Sequence, residues 1–177
     1  MKSKRQKQPI EPEQIFNHAL RFAGSDNYLR SGKGDNLFSM MVGHPSMVLS
    51  AFAIELLLKC LLVMSKGDAP ETHHLGVLFR QLDHKHKRRI EELWNAGPRL
   101  KIQKWCKDLG HPDDLPNAIN KCASAFEDLR YVYEDPGKAL FYIADLPQLL
   151  IHFIVELRPT WQPTMLSPPI QATILSR

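Results

Sequence analysis

The stretch Ser46–Lys66, SMVLSAFAIELLLKCLLVMSK, is nearly all apolar, yet it carries Glu55 and Lys59 one helical turn apart near its middle. Its eighteen residues Met47–Met64 have the length and hydropathy of a membrane span. An acid and an amine near the centre of a bilayer would each cost ~2.5–3.5 kcal/mol. The less costly arrangement is the central helix of a soluble bundle. There Glu55 and Lys59 face each other at i,i+4, or reach charged groups on a neighbouring helix. Charges in such a helix need partners, and the search for those partners leads to function.

The flanks delimit this helix. Pro45-Ser46 opens it, and Gly67 closes it with Lys66 in the last turn. Upstream, Pro12 suits a first helical turn, and Ile15, Phe16, Ala19, Phe22 and Ala23 recur at helical spacing. Between the two helices, Ser25–Pro45 is rich in Gly, Ser, Asp and Asn and reads as a long connection. Its Gly32-Lys33-Gly34 lacks the spacing and the Ser/Thr of a phosphate loop.

Downstream, His74–Leu82 and His84–Trp94 read as short helices, the second with Ile90, Leu93 and Trp94 as its apolar face. Leu100–Leu109 is a weaker helical segment that includes Trp105. Asp113 or Asp114 can cap a helix with Pro116 in its first turn. Leu115, Ile119, Cys122, Phe126, Leu129 and Tyr133 then follow at alternating spacings of four and three, a bundle-packing seam. Pro136-Gly137 stops that run, and a last helix occupies roughly 139–157. No alternating pattern long enough for a sheet is present. The expected fold is all-α, an up-and-down bundle of four to five main helices with short accessory helices. Three regions follow: a basic disordered tail over 1–11, a bundle over 12–158, and a proline-rich tail over 159–177 that stays too apolar for simple disorder.

Bulk properties bound the class. The chain has 177 residues, enough for one domain with a real core. Its net charge of +4 is a property of the terminus. Lys2, Lys4, Arg5 and Lys7 supply four of the 23 basic residues, which leaves 19 against 19 acidic residues. The three cysteines, Cys60, Cys106 and Cys122, form no CxxC, as suits a reducing cytoplasm. The charged N-terminus lacks the apolar core of a signal peptide, so a cytoplasmic location without a membrane is expected.

Candidate chemistry is sparse. Among the eight histidines there is no HExxH; His84 and His86 point to different helix faces, and His73 and His74 are adjacent. Three or four convergent ligands are needed for a metal, so neither a metal nor a cofactor is expected. His84-Lys85-His86-Lys87-Arg88-Arg89 is the one internal basic run. Without interleaved aromatics it reads as a solvated helix face rather than a single-strand grip. In Phe126–Glu134, FEDLRYVYE, Arg130 lies beside the seam. It either joins a surface ion-pair ladder with Glu127 and Glu134 or turns inward and forks onto Glu55.

Three segments together resemble the HEPN superfamily of helical bundles. SAFAIELLLKCLL (Ser50–Leu62) is similar to its central helix with a Glu-x-x-x-Lys pair. HHLGVLFRQL (His73–Leu82) is similar to the element that follows that helix in one branch, and FEDLRYVYE to the late helix of the same branch. The resemblance covers roughly residues 12–157. It implies a homodimer formed through the face carrying Arg130. It also implies a place in a stress, toxin–antitoxin or antiviral defence system, with RNA and a cognate antitoxin-like protein as partners. Many members are metal-independent endoribonucleases whose active site is an Arg, then four to six intervening residues, then a His. Arg neutralises the phosphate and His moves protons. Here Arg130 matches, but the positions where the histidine belongs hold Asp135, Pro136 and Gly137. Glu134, Tyr131, Tyr133 or, from another helix, His74 then stand in for proton transfer, and Glu55 and Lys59 complete a polar, phosphate-binding cluster. The alternative is a non-catalytic dimeric scaffold or partner-binding protein built on the same bundle. Some members also hold nucleotides in the same cleft, although this chain has no dedicated nucleotide motif.

Overall fold

The computed structural model describes residues 11–31, 36–96, 114–124 and 145–161, and for 36–42 the backbone alone. Among these residues six helices and no strands form an all-α bundle, as the apolar spacings require. They are α1 (Pro12–Arg30), α2 (Asn36–Lys66), α3 (Leu75–Gln81), α4 (His84–Ala96), α5 (Leu115–Lys121) and α6 (Leu146–Leu157).

Helix α1 starts with Pro12 and Glu13 in its first turn and ends with Arg30 in its last, each suited to its end of the helix dipole. It packs antiparallel to α2. Contacts step down one helix as they step up the other: the Cys60 thiol donates to the Pro12 carbonyl, the Phe22 and Phe52 rings lie 4.9 Å apart, and the Ser46 hydroxyl donates to Asp26. The C-terminal half of α2 is buried over most of its circumference, with Phe52, Leu56 and Lys59 partly exposed along one stripe. Leu57, Leu58, Leu61 and Leu62 are all inaccessible to solvent, which marks it as the core helix. By length and hydropathy Gly43–Lys66 could cross a membrane, but 61% of its most apolar stretch is already buried inside the fold.

The long connection expected over Ser25–Pro45 is corrected. Helix α1 runs on to Arg30, and α2 begins at Asn36 with Pro45 inside it. Bonds from Ser46 to Asp26 and from Gln148 to Asn27, joined by an i,i+4 pair within α1, override the weak helix propensity of SDNYLR. Arg30 forks onto Asp26 through Nε at 3.0 Å and Nη2 at 2.7 Å, one turn apart.

Local signals elsewhere act as they read. Gly67 adopts φ +80° and its N–H reaches the Val63 carbonyl at 2.9 Å, a left-handed helix end that glycine takes without strain. Asp114 caps α5, accepting the Asn117 N–H at 2.9 Å. The expected seam begins there, with Leu115, Ile119 and Cys122 buried. The helix stops at Lys121, however, and 122–124 form a turn. The seam therefore does not continue as one uninterrupted helix; Phe126, Leu129 and Tyr133 lie outside the described residues. The last helix starts at Leu146 with Pro147 in its first turn. The segment 139–144 and the weakly helical 100–109 also lie outside the described residues. At the start of the C-terminal tail, the Trp161 ring sits 5.7 Å from that of Phe16, so this part folds back onto α1.

The basic run opens α4. Two of its arginines meet carboxylates: Arg88 reaches Glu92 at 3.1 Å, and Arg89 reaches Glu156 of α6 at 2.8 Å. Lys87 donates to the Arg80 carbonyl at 3.3 Å, and the His86 ring packs edge-on against Phe153. His86 and Arg89 thus dock the start of α4 onto α6, while His84, Lys85 and Arg88 stay exposed as a solvated face. The Arg89 hydrogen bond holds the Glu156 carboxyl below its usual range. A carboxylate depressed in the folded state stabilises the fold above its unfolded pKa, and that contribution fades as pH falls through the folded value. The pair is solvent-exposed, so the contribution is small.

Burial pushes the Cys60 and Cys122 thiols up to about 12. At pH 8 the thiolate fraction alone makes both at least ~1,000-fold slower toward a thiol reagent than free cysteine. In a Cys106→Ser variant, rapid labelling of native protein should be nil, with two thiols appearing on unfolding. Fast native labelling would show that these helices pack differently.

Candidate functional site

A carboxylate inside an apolar helix must be given donors, because an unpaired buried charge costs several kcal/mol. Glu55 is 2% exposed. Lys59, one turn later and 19% exposed, places Nζ 2.8 Å from Glu55 Oε1. The second donor comes from beyond the helix. His73 Nδ1 lies 3.0 Å from both Glu55 oxygens. Against a carboxylate that nitrogen must donate, so His73 carries a proton on Nδ1.

The chain path makes this possible. Glu55 lies eleven residues below the end of α2, about 16 Å along the axis. The left-handed turn at Gly67 reverses the chain. The seven residues 67–73 can span about 24 Å when extended, enough to return to that level. His73 keeps 53% of its side chain accessible to solvent. Glu55 therefore orients a half-exposed imidazole from within the core, with an ammonium on its other side.

His74 has the opposite role. Its Nδ1 accepts the Val77 N–H at 3.2 Å and caps α3, so this ring carries its proton on Nε2. Its own N–H reaches Thr72 Oγ1 at 3.2 Å, and the Leu75 N–H reaches the Ala123 carbonyl at 2.9 Å. The start of α3 is thereby fixed against the turn after α5. Gly76 allows that approach: a Cβ there would meet Asn120 Oδ1 at 2.5 Å and His74 Cε1 at 3.2 Å.

A second polar cluster lies nearer the α1–α2 link. Asp26 has no solvent exposure and takes the Arg30 fork and the Ser46 hydroxyl. Asn27 Oδ1 receives Arg30 Nη2 at 3.2 Å and Gln148 Nε2 of α6 at 2.9 Å. This cluster joins α1, α2 and α6, and its carboxylate is spent on structural donors.

Of the residues singled out from sequence, Glu55 and Lys59 are in contact, and His74 is next to the pair's histidine partner in sequence but serves the helix cap. Arg130, Tyr131, Tyr133 and Glu134 lie outside the described residues. Sequence reasoning missed His73; the 67–73 link is long enough to return to Glu55, but its length does not say which of the two adjacent histidines meets the acid. It also missed Asp26 and Arg30, whose i,i+4 spacing is visible in a stretch that reads as loop. Among the described residues no three of His, Cys, Asp and Glu converge to hold a metal. A cleft of about 260 Å³ opens between Met64, Ser65, Asp83, His86, Leu157 and Arg158, sharing no residue with the Glu55 cluster.

Set against protein-family models, curated proteins and solved structures, the chain matches none of them.

The two adjacent imidazoles make a sharp spectroscopic expectation. In ¹⁵N spectra at pH 8, His73 should show a protonated Nδ1 and a bare Nε2, and His74 the reverse. Identical tautomers on both rings would contradict the geometry of this link.

Proposed function

We propose that this chain is a HEPN-like helical module of a stress, toxin–antitoxin or antiviral defence system that engages RNA. The observation that carries this reading is the Glu55–Lys59 pair, buried midway along the core helix and bonded at 2.8 Å. The short helix α3 follows it in the order the resemblance requires. Glu55 and Lys59 anchor the polar cluster, Arg130 binds phosphate, and Tyr131, Tyr133 and Glu134 flank it. The chain acts in the cytoplasm as a homodimer, with an antitoxin-like protein as its cognate partner. A second reading is a non-catalytic dimeric scaffold. The absence of a histidine at 135–137, after four to six intervening residues, favours it.

The test is binding of a fluorescent single-stranded RNA, followed by anisotropy, for wild type and Arg130→Ala. A charge-assisted hydrogen bond of ~1.5–3 kcal/mol corresponds to a loss of about 10–100-fold in affinity. The slope of log affinity against log salt should fall by about one phosphate contact. Equal affinity and slope in both proteins would remove Arg130 from the site, and no RNA binding by wild type would leave the scaffold reading.

A further inference from the structure

We propose that the cleft between the ends of α2, α4 and α6 binds a small zwitterion, an α-amino acid with an apolar side chain. The site is separate from the RNA reading above and does not depend on it.

The fold brings three helix ends together here. Helix α2 closes with Met64 and Ser65 in its last turn, α4 opens just after Asp83, and α6 ends at Leu157 with Arg158 behind it. With His86, these side chains line a cleft of about 260 Å³, room for roughly nine waters at ~30 Å³ each. That volume suits a free amino acid and lies below the ~300–1,000 Å³ of pockets for larger ligands. Its lining is mixed. Met64 and Leu157 are apolar, and Asp83 and Arg158 carry opposite charges.

Those two charges are unspent. Elsewhere along α4 the opposite charges find each other: Arg88 bonds Glu92, and Arg89 bonds Glu156. In the cleft they do not. Asp83 and Arg158 form no ion pair with each other, and neither meets another side chain of opposite charge among the described residues. Arg158 has the Leu157 carbonyl at 3.5 Å and the Trp161 ring at 6.0 Å. Two opposite charges over an apolar floor match a ligand that carries both. Its carboxylate takes the guanidinium fork, its ammonium meets Asp83, and its side chain lies on Met64 and Leu157. A plain anion would face Asp83 with like charge, and a plain cation would face Arg158.

His86 supplies an independent sign. Its ring is set edge-on against Phe153, and Nδ1 is hidden from water with no hydrogen-bond partner among the described residues. A buried polar atom left without a partner is uncommon and costly. The ligand carboxylate, held beside it by Arg158, supplies the acceptor for a proton on Nδ1.

The experiment titrates the full chain with L-leucine and L-methionine, followed by calorimetry and by ¹⁵N spectra of the histidine rings. N-acetyl-L-leucine lacks the ammonium, and L-leucinamide lacks the carboxylate. The variants are Arg158→Gln and Asp83→Asn, with Lys85→Gln on the exposed face of α4 as a control. Leucine should bind one to one and move the His86 Nδ1 resonance, while those of His73 and His74 stay in place. Loss of either ligand charge, or of either Asp83 or Arg158, should weaken binding at least ~10-fold, and Lys85→Gln should bind like wild type. The ligand series is read on wild type alone, so it stands whatever the variants do to stability. Failure of both amino acids to bind at tens of millimolar overturns the proposal. Equal binding of leucine and N-acetyl-leucine overturns it in favour of an anion site, and equal binding of leucine and leucinamide in favour of a cation site. Wild-type affinity in Arg158→Gln and Asp83→Asn overturns it by placing the ligand elsewhere.

Discussion

One carboxylate placed where water cannot reach it constrains this fold. Glu55 sits among leucines that leave almost none of it exposed, and a charge so placed must be met by donors or the helix would not stay buried. Lys59 supplies one donor from the same helix. The other must come from elsewhere, and the chain supplies it by folding the 67–74 link back along α2 until His73 reaches the acid. That return path sets where α3 begins, and α3 in turn receives the turn after α5 through Leu75. A single acid therefore links the core helix, the link after it and the two short helices.

Asp26 does similar work nearer the other end of α2. It is buried, forked by Arg30 and bonded by Ser46, and with Cys60–Pro12 and Phe22–Phe52 it fixes how α1 and α2 slide against each other. The two acids differ in what surrounds them. The donors of Asp26 and its neighbour Asn27 come from three helices, and the result is a clasp. The Glu55 cluster ends in an imidazole that stays half in water. This difference makes the Glu55 end of the molecule the functional candidate and the Asp26 end a structural one.

Legibility in the sequence follows the range of the interaction. The Gly67 helix end, the Asp114 cap and the core status of Leu57–Leu62 are all readable, because each depends on residues within one or two turns. The polar SDNYLR stretch reads as loop because its helix rests on Ser46 and Gln148, which are distant in sequence. Pro45 reads as a helix start, since a proline within a helix is tolerated only where packing supports it. Glu55 and Lys59 are visible as a pair, but their third partner is not. Nothing in a run of two histidines says which one turns inward; that depends on a seven-residue path whose geometry only the folded chain defines.

The most direct measurement of the central claim is a double-mutant cycle between Glu55→Ala and His73→Ala, each of which removes the contact, read by urea unfolding. Groups in direct contact couple by roughly 0.5–3 kcal/mol. The two single substitutions should therefore fail to add, with a coupling of about 1 kcal/mol or more. Strict additivity, within a few tenths of a kcal/mol, would mean that the acid and the imidazole do not meet, and the Glu55-centred account would be wrong.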